Sequence, residues 1–177
     1  DAAFDLAADA DPQVRAAAIN ALGQSRQDAL GDHALVWALS DQDVFASTAA
    51  ARALVARGAR GLDAVKSRLS ARWLSSEAIV RAGLAFGEQA ANELIAEALR
   101  SDDIRQQLAA MQLALALPKF DQPLPYSKLL SPSIDSTWYA TIAVIRKHVR
   151  GPAAAAASAA LASRLRMDFE WWAARAL

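Results

Sequence analysis

An acidic or hydroxyl residue able to open a helix returns along this chain at Asp11, Asp43, Ser75, Asp102, Asp135 and Asp168, at intervals of 32, 32, 27, 33 and 33 residues. Self-similarity at roughly 20–50 residues marks stacked supersecondary units, none of which can bury its apolar face alone. The chain is therefore constrained to an array of similar units before any single element is placed.

Each recurrence carries the chemistry of a helix boundary. Asp11-Pro12 sets an acceptor side chain before a proline at the first helical position, where a missing N–H costs nothing and the fixed φ suits a helix. Gly23, Gly58, Gly87 and Gly151 stand where a left-handed residue would close a helix, and Pro118 takes that place in the fourth unit. Between these second helices the pattern predicts first helices at Ala2–Ala8, Asp28–Ser40, Leu62–Ser70, Gln89–Arg100, Leu124–Leu130 and Pro152–Arg164, giving six pairs. Apolar residues recur at helical spacing, as in Leu94, Ile95, Ala98 and Leu99, then Ile104, Leu108, Met111 and Leu115, so each helix has one stripe to bury. Alanine makes up about a quarter of the residues while glycine and proline are scarce, which favours an all-helical chain. Four of the six prolines fall in residues 118–134, so the first helix of the fifth unit is expected to be short or irregular and to bend the array.

The run from Asp11 through Pro12, Val14, Arg15, Ala16 and Leu22 to Gly23 resembles the second helix of a HEAT repeat, in the bacterial form shared with HEAT-like bilin-lyase repeats. Asp43 to Leu54, Ser75 to Gly87 and Asp102-Asp103-Ile104-Arg105 to Leu113 resemble it less closely. Asp135 with Trp138, and Asp168 with Trp171 and Trp172, are similar to a variant in which aromatics replace the valine and arginine. The resemblance implies an all-α fold: a right-handed α-solenoid of about six antiparallel helix pairs forming one domain over residues 1–177. It also implies a non-enzymatic scaffold that holds a protein or peptide on its concave, second-helix face. The alternative it brings is an enzyme or nucleic-acid-binding module, since some HEAT-like proteins are alkylpurine DNA glycosylases or bilin lyases. On that face the resemblance aligns Arg15, Ser47, Arg105, Tyr139 and Trp172 into a partner-facing ladder, because arginine and aromatic anchors dominate interface energetics. The competing reading is an internal brace in which each arginine bonds a neighbouring unit's aspartate.

Charge is balanced in total but not in place. The first fifty residues carry about −6 and the remainder about +6, which can steer a charged partner, whereas the neutral total argues against a dedicated nucleic-acid binder. A basic stretch of Arg52, Arg57, Arg60, Lys66, Arg68 and Arg72 contains only Asp63 as an acid, and Arg146, Lys147, His148 and Arg150 form a second cluster. Either could take phosphate or an acidic protein; the plainer reading is arginines that complement helix C-termini and cover apolar surface.

Sequence signals for catalysis are missing: no nucleophile elbow, phosphate loop or dinucleotide fingerprint is present, so neither an enzyme nor a cofactor is expected. Asp28, Asp32 and His33 could meet across one helical turn, yet they read as a solvated acidic face rather than a metal site. Trp37 is expected in the core, and Trp138 and Trp171, at the position of Val14, mainly buried. No run approaches the ~20 apolar residues of a membrane span. The absence of cysteine leaves cytoplasm and periplasm both open. A terminal unit carrying Trp171, Trp172 and Leu177 looks like a cut edge, expected to be continued by more chain or covered, including by self-association.

Overall fold

The computed structural model describes residues 2–25, 29–70, 74–130 and 135–176; at residues 70, 126–127, 135–136, 164–165 and beyond 166 the description is of the backbone. Among the described residues there are eleven helices and no strand. They are α1 (Ala2–Leu6), α2 (Pro12–Gln24), α3 (Ala29–Ala38), α4 (Val44–Ala56), α5 (Ala59–Ser70) and α6 (Ser76–Phe86), then α7 (Glu88–Arg100), α8 (Ile104–Ala116), α9 (Tyr126–Leu129), α10 (Asp135–His148) and α11 (Pro152–Ala176).

Three of the expected caps work as the sequence implies. The Asp11 carboxylate accepts the Gln13 N–H at 2.8 Å, that of Asp43 accepts Phe45 and Ala46 at 2.9 and 3.0 Å, and the Ser75 hydroxyl accepts Ala78 at 3.2 Å. Each satisfies donors that the first turn of a helix leaves unpaired. Asp102 does not cap α8. The residue directly before Ile104 is Asp103, whose carboxylate accepts the Arg105 N–H at 2.9 Å, while Asp102 sits outside the turn, 88 % exposed and 2.9 Å from Lys128. Asp135 is the first residue of α10.

The last unit differs most from expectation. Asp168 opens nothing, because α11 runs unbroken from Pro152 to Ala176 and passes through it. A new helix there would need a break before Asp168, and the residues from 152 onward offer neither glycine nor a further proline to make one. The expected sixth pair is a single 25-residue helix. The proline-rich stretch does shorten the first helix of the fifth pair to the four residues of α9, whose amides at Lys128 and Leu129 donate to the Pro125 carbonyl at 3.0 Å.

Packing follows chain order in two sets. α2 packs on α4, α4 on α6, α6 on α8 and α8 on α10, while α3 packs on α5 and α5 on α7. The first helix of each pair also packs on the second, α1 on α2, α3 on α4, α5 on α6, α7 on α8 and α9 on α10. The result is one apolar cluster from Ile19 to Val144, in which fully buried leucines and isoleucines such as Leu22, Leu54, Ile79 and Leu94 contribute about 2 kcal/mol each.

Glycine serves two purposes here. Gly58, Gly87 and Gly151 have φ of +57°, +93° and +61°, backbone open to glycine; Gly58 and Gly87 stand at the ends of α4 and α6, while Gly151 stands just before α11. Gly23 was expected to join them but lies inside α2. A Cβ at Gly23 would stand 2.5 Å from that of Ala53, so it is the contact between α2 and α4 that needs the bare backbone. Trp37 is likewise not core: Leu35, Val36 and Ala38 fill the inner side of α3 and leave Trp37 70 % exposed. No described helix is long and apolar enough to cross a membrane.

Candidate functional site

Counting from the observed caps aligns the second helices. The third and fourth residues after the cap are buried in α4 (Ala46, Ser47), α6 (Ala78, Ile79) and α8 (Gln106, Gln107). Ser47 is therefore not partner-facing: it is fully buried, and its hydroxyl donates to the Asp43 carbonyl at 2.8 Å. Arg15 holds the same position in α2 and is fixed internally. Its Nε and terminal nitrogen grip both Asp41 oxygens at 2.7 and 2.9 Å, and its other terminal nitrogen donates to the Asp9 and Ala10 carbonyls. The hydrogen bonds from Arg15 draw the Asp41 carboxyl below its ordinary value, against a smaller push upward from burial. Here the arginine braces a neighbouring unit's aspartate.

Arg105 belongs to a different row. It is the second residue after its cap, leans on Asp103 at 3.0 Å and is 71 % exposed. Tyr139 is 66 % exposed on α10. The side chain of Trp172 lies outside the described residues, as does that of Trp171. The expected ladder thus mixes two helical positions, one buried and one open.

The open position repeats with a regularity the ladder lacked. The second and ninth residues after the caps are Gln13 and Asn20 on α2, Phe45 and Arg52 on α4, Glu77 and Leu84 on α6, and Arg105 and Gln112 on α8; Tyr139 and Arg146 keep the same seven-residue spacing on α10. All ten are exposed. Seven residues are close to two helical turns, so each helix shows both members on one side, turned from the buried positions. Phe45 is 77 % and Leu84 50 % exposed, beside the bases Arg52, Arg105 and Arg146 and the single acid Glu77. Tyr139 is held from behind by Trp138, half-buried, their rings 5.4 Å apart at 66°. Phe45 and Leu84 lie at the second and ninth positions after their caps, whereas the expected ladder follows the fourth position after Asp11, Asp43, Asp135 and Asp168; the spacing of seven was the signal that could have found them.

The basic stretch dissolves into separate internal pairs. Arg57 is buried, bonds Asp32 and donates to the Leu22 carbonyl at the end of α2, while Arg60 reaches the other Asp32 oxygen at 2.6 Å. Asp32 is thus not a solvated acid. Burial pushes its carboxyl up, and the hydrogen bonds from Arg60 and Arg57 outweigh that and hold it below the usual range. Lys66 pairs with Glu93, lowering the Glu93 carboxyl, and Arg68 lies against His33. Arg52 alone of the described stretch joins the exposed rows; Arg72 and Asp28 lie outside the described residues. In the second cluster, Lys147 donates to the Leu115 and Leu117 carbonyls at the end of α8, and Arg150 to carbonyls of its own segment. Among the described residues, no group of three metal-ligating side chains forms.

The chain matches no family model, no curated protein and no solved structure. The candidate site is eight exposed side chains at two matching positions on α2, α4, α6 and α8, with Tyr139 and Arg146 exposed at the same spacing on α10.

Proposed function

We propose that the chain is a non-enzymatic interaction module, a right-handed α-solenoid of HEAT-like helix pairs whose second helices hold an extended protein segment. The observation that carries this reading is the pair of exposed rows. Phe45 and Leu84 supply apolar anchors and Arg52 and Arg105 donors at matching positions on α4, α6 and α8, and exposed Tyr139 and Arg146 add one of each at the same spacing on α10. Helices packed in contact stand about 8–10 Å apart, and an extended chain advances about 3.3 Å per residue, so one helix is met roughly every third residue. The matching ligand is a peptide with apolar residues at that spacing and acids between them. The nucleic-acid alternative would draw on bases that are already spent on Asp32 and Glu93.

Peptides selected from a random library against the purified protein test the reading. The expected selection is rich in apolar residues and acids at three-residue spacing, and Phe45→Ala, Tyr139→Ala and Arg105→Ala each weaken binding about tenfold or more without changing the melting temperature. Selected peptides that bind all three variants as well as the parent would contradict it. So would release of modified bases from alkylated DNA by the parent protein.

A further inference from the structure

Helix α3 is apolar on two sides. Asp32, Leu35 and Val36 turn inward, with Asp32 neutralised by its arginines, whereas Leu30, Ala34 and Trp37 form a second stripe at i, i+4 and i+7 on the opposite side. Leu30 is 65 % and Trp37 70 % exposed. A helix with apolar stripes on opposite sides has a second surface to cover beyond the one facing the core. Here the stripe forms one wall of a groove of about 640 Å³, faced by Phe4, Ala7 and Ala8 and by Leu74. That volume lies in the range of roughly 300–1,000 Å³ typical of small-ligand sites.

The charges around the groove select the kind of ligand. Asp41 is the single acid in its lining, and both of its oxygens are taken by Arg15. Arg68 rests on the His33 imidazole, and no carboxylate pairs with either among the described residues. Among the described residues the lining therefore presents one guanidinium with no carboxylate on it beside an apolar trough, and no acid left for a cation.

We propose that this groove binds a small amphipathic carboxylate, with its hydrocarbon body along Leu30, Ala34 and Trp37 and its head group on Arg68. The guanidinium fork matches a carboxylate through two parallel N–H···O bonds, a better partner than the edge of the His33 ring, against which a single Arg68 terminal nitrogen lies. The stripe spans two helical turns, about 10 Å, which suits a single medium-length chain such as decanoate or dodecanoate. The lining reaches α2 through Arg15 but includes none of the exposed row residues, so the two sites can be tested separately.

Calorimetric titration of the whole protein with dodecanoate, kept below its micelle threshold, tests the assignment, with dodecyltrimethylammonium and dodecanol as comparison ligands. Dodecanoate is expected to saturate at one per chain, and both comparison ligands to bind about tenfold more weakly or worse. Arg68→Ala should cost about tenfold, and Arg68→Lys, which keeps the charge but loses the fork, less. Trp37→Ala should also weaken binding while the circular dichroism spectrum and melting temperature stay unchanged. Absence of saturable binding, equal binding of the cationic analogue, or indifference to Arg68→Ala would overturn the assignment. A dimer of the parent protein that Trp37→Ala dissociates would overturn it too, by showing that a second copy covers the stripe.

Discussion

Replacing Asp32 with alanine tests whether buried ion pairs tie the first pairs of helices together. The Asp32 side chain is 10 % exposed and that of Arg57 8 %. Without the carboxylate, the Arg57 guanidinium stays under α3 with the Leu22 carbonyl as its remaining described partner. Stranding one member of a buried pair costs about 3–5 kcal/mol. The low end applies, about 3 kcal/mol, because the Leu22 bond survives and Arg60, 52 % exposed, can return to water. For a chain of this length, 1 kcal/mol moves the melting temperature by about 2–4 °C, so a fall of about 6–12 °C is expected by calorimetry near neutral pH. The gap should also depend on pH. The Asp32 carboxyl is held below its ordinary value in the folded state, so the unfolded chain binds the proton first as pH falls. The stabilisation is therefore complete above the ordinary aspartate value of about 3.9 and is lost as pH drops through the folded value, where parent and variant should converge. Asp32→Leu combined with Arg57→Met should recover most of the loss, leaving about 1 kcal/mol for the Leu22 bond. A fall of less than about 2 °C, or a gap that persists unchanged to about pH 2, would refute the reasoning.

Gly23→Val puts a side chain where Ala53 already stands and should cost about 1–3 kcal/mol in urea denaturation, with Ala53→Gly restoring part of it. A neutral result would mean that α2 and α4 can separate freely. His148, packed edge-on against Phe120, has its imidazole pushed below the usual value by burial and then by Lys147 and Arg150, against a backbone bond at Ala114. The unfolded chain takes up that proton near pH 6.5 and the folded one only lower, so stability should decline as pH falls from about 6.5 toward the folded value. His148→Leu should flatten that decline in denaturation curves at about pH 7 and pH 5, and an unchanged slope would count against it.

Helix starts were legible because cap chemistry is local: Asp11, Asp43 and Ser75 each need only the next three residues to act. At Asp102-Asp103 two identical carboxylates compete, and only backbone geometry decides between them. Asp168 failed for a related reason, since an aspartate inside an alanine-rich helix looks like a cap when nothing marks the preceding break. Trp37 misled because α3 carries apolar residues on two opposite sides, so periodicity does not single out the buried one. The basic stretch misled because its partners are remote: Asp32 and Arg57 are 25 residues apart, and Lys66 and Glu93 27 apart. The exposed rows became visible only once the cap of α8 moved by one residue and brought Arg105 into line with Phe45.

Gly23 and Gly83 set how closely neighbouring helices approach, α2 against Ala53 and α6 against Leu113. Both glycines lie toward the C-terminal ends of their helices, near Asn20 and Leu84 in the exposed rows. At Gly83 an added methyl meets the movable tips of Leu113, but at Gly23 it meets the Ala53 Cβ and backbone and would act as a wedge, spreading the rows at one end like the ribs of a fan and altering the pitch that a bound chain has to match. A surface built in this way can change its preference through substitutions beneath it, with every residue that touches the ligand left as it was.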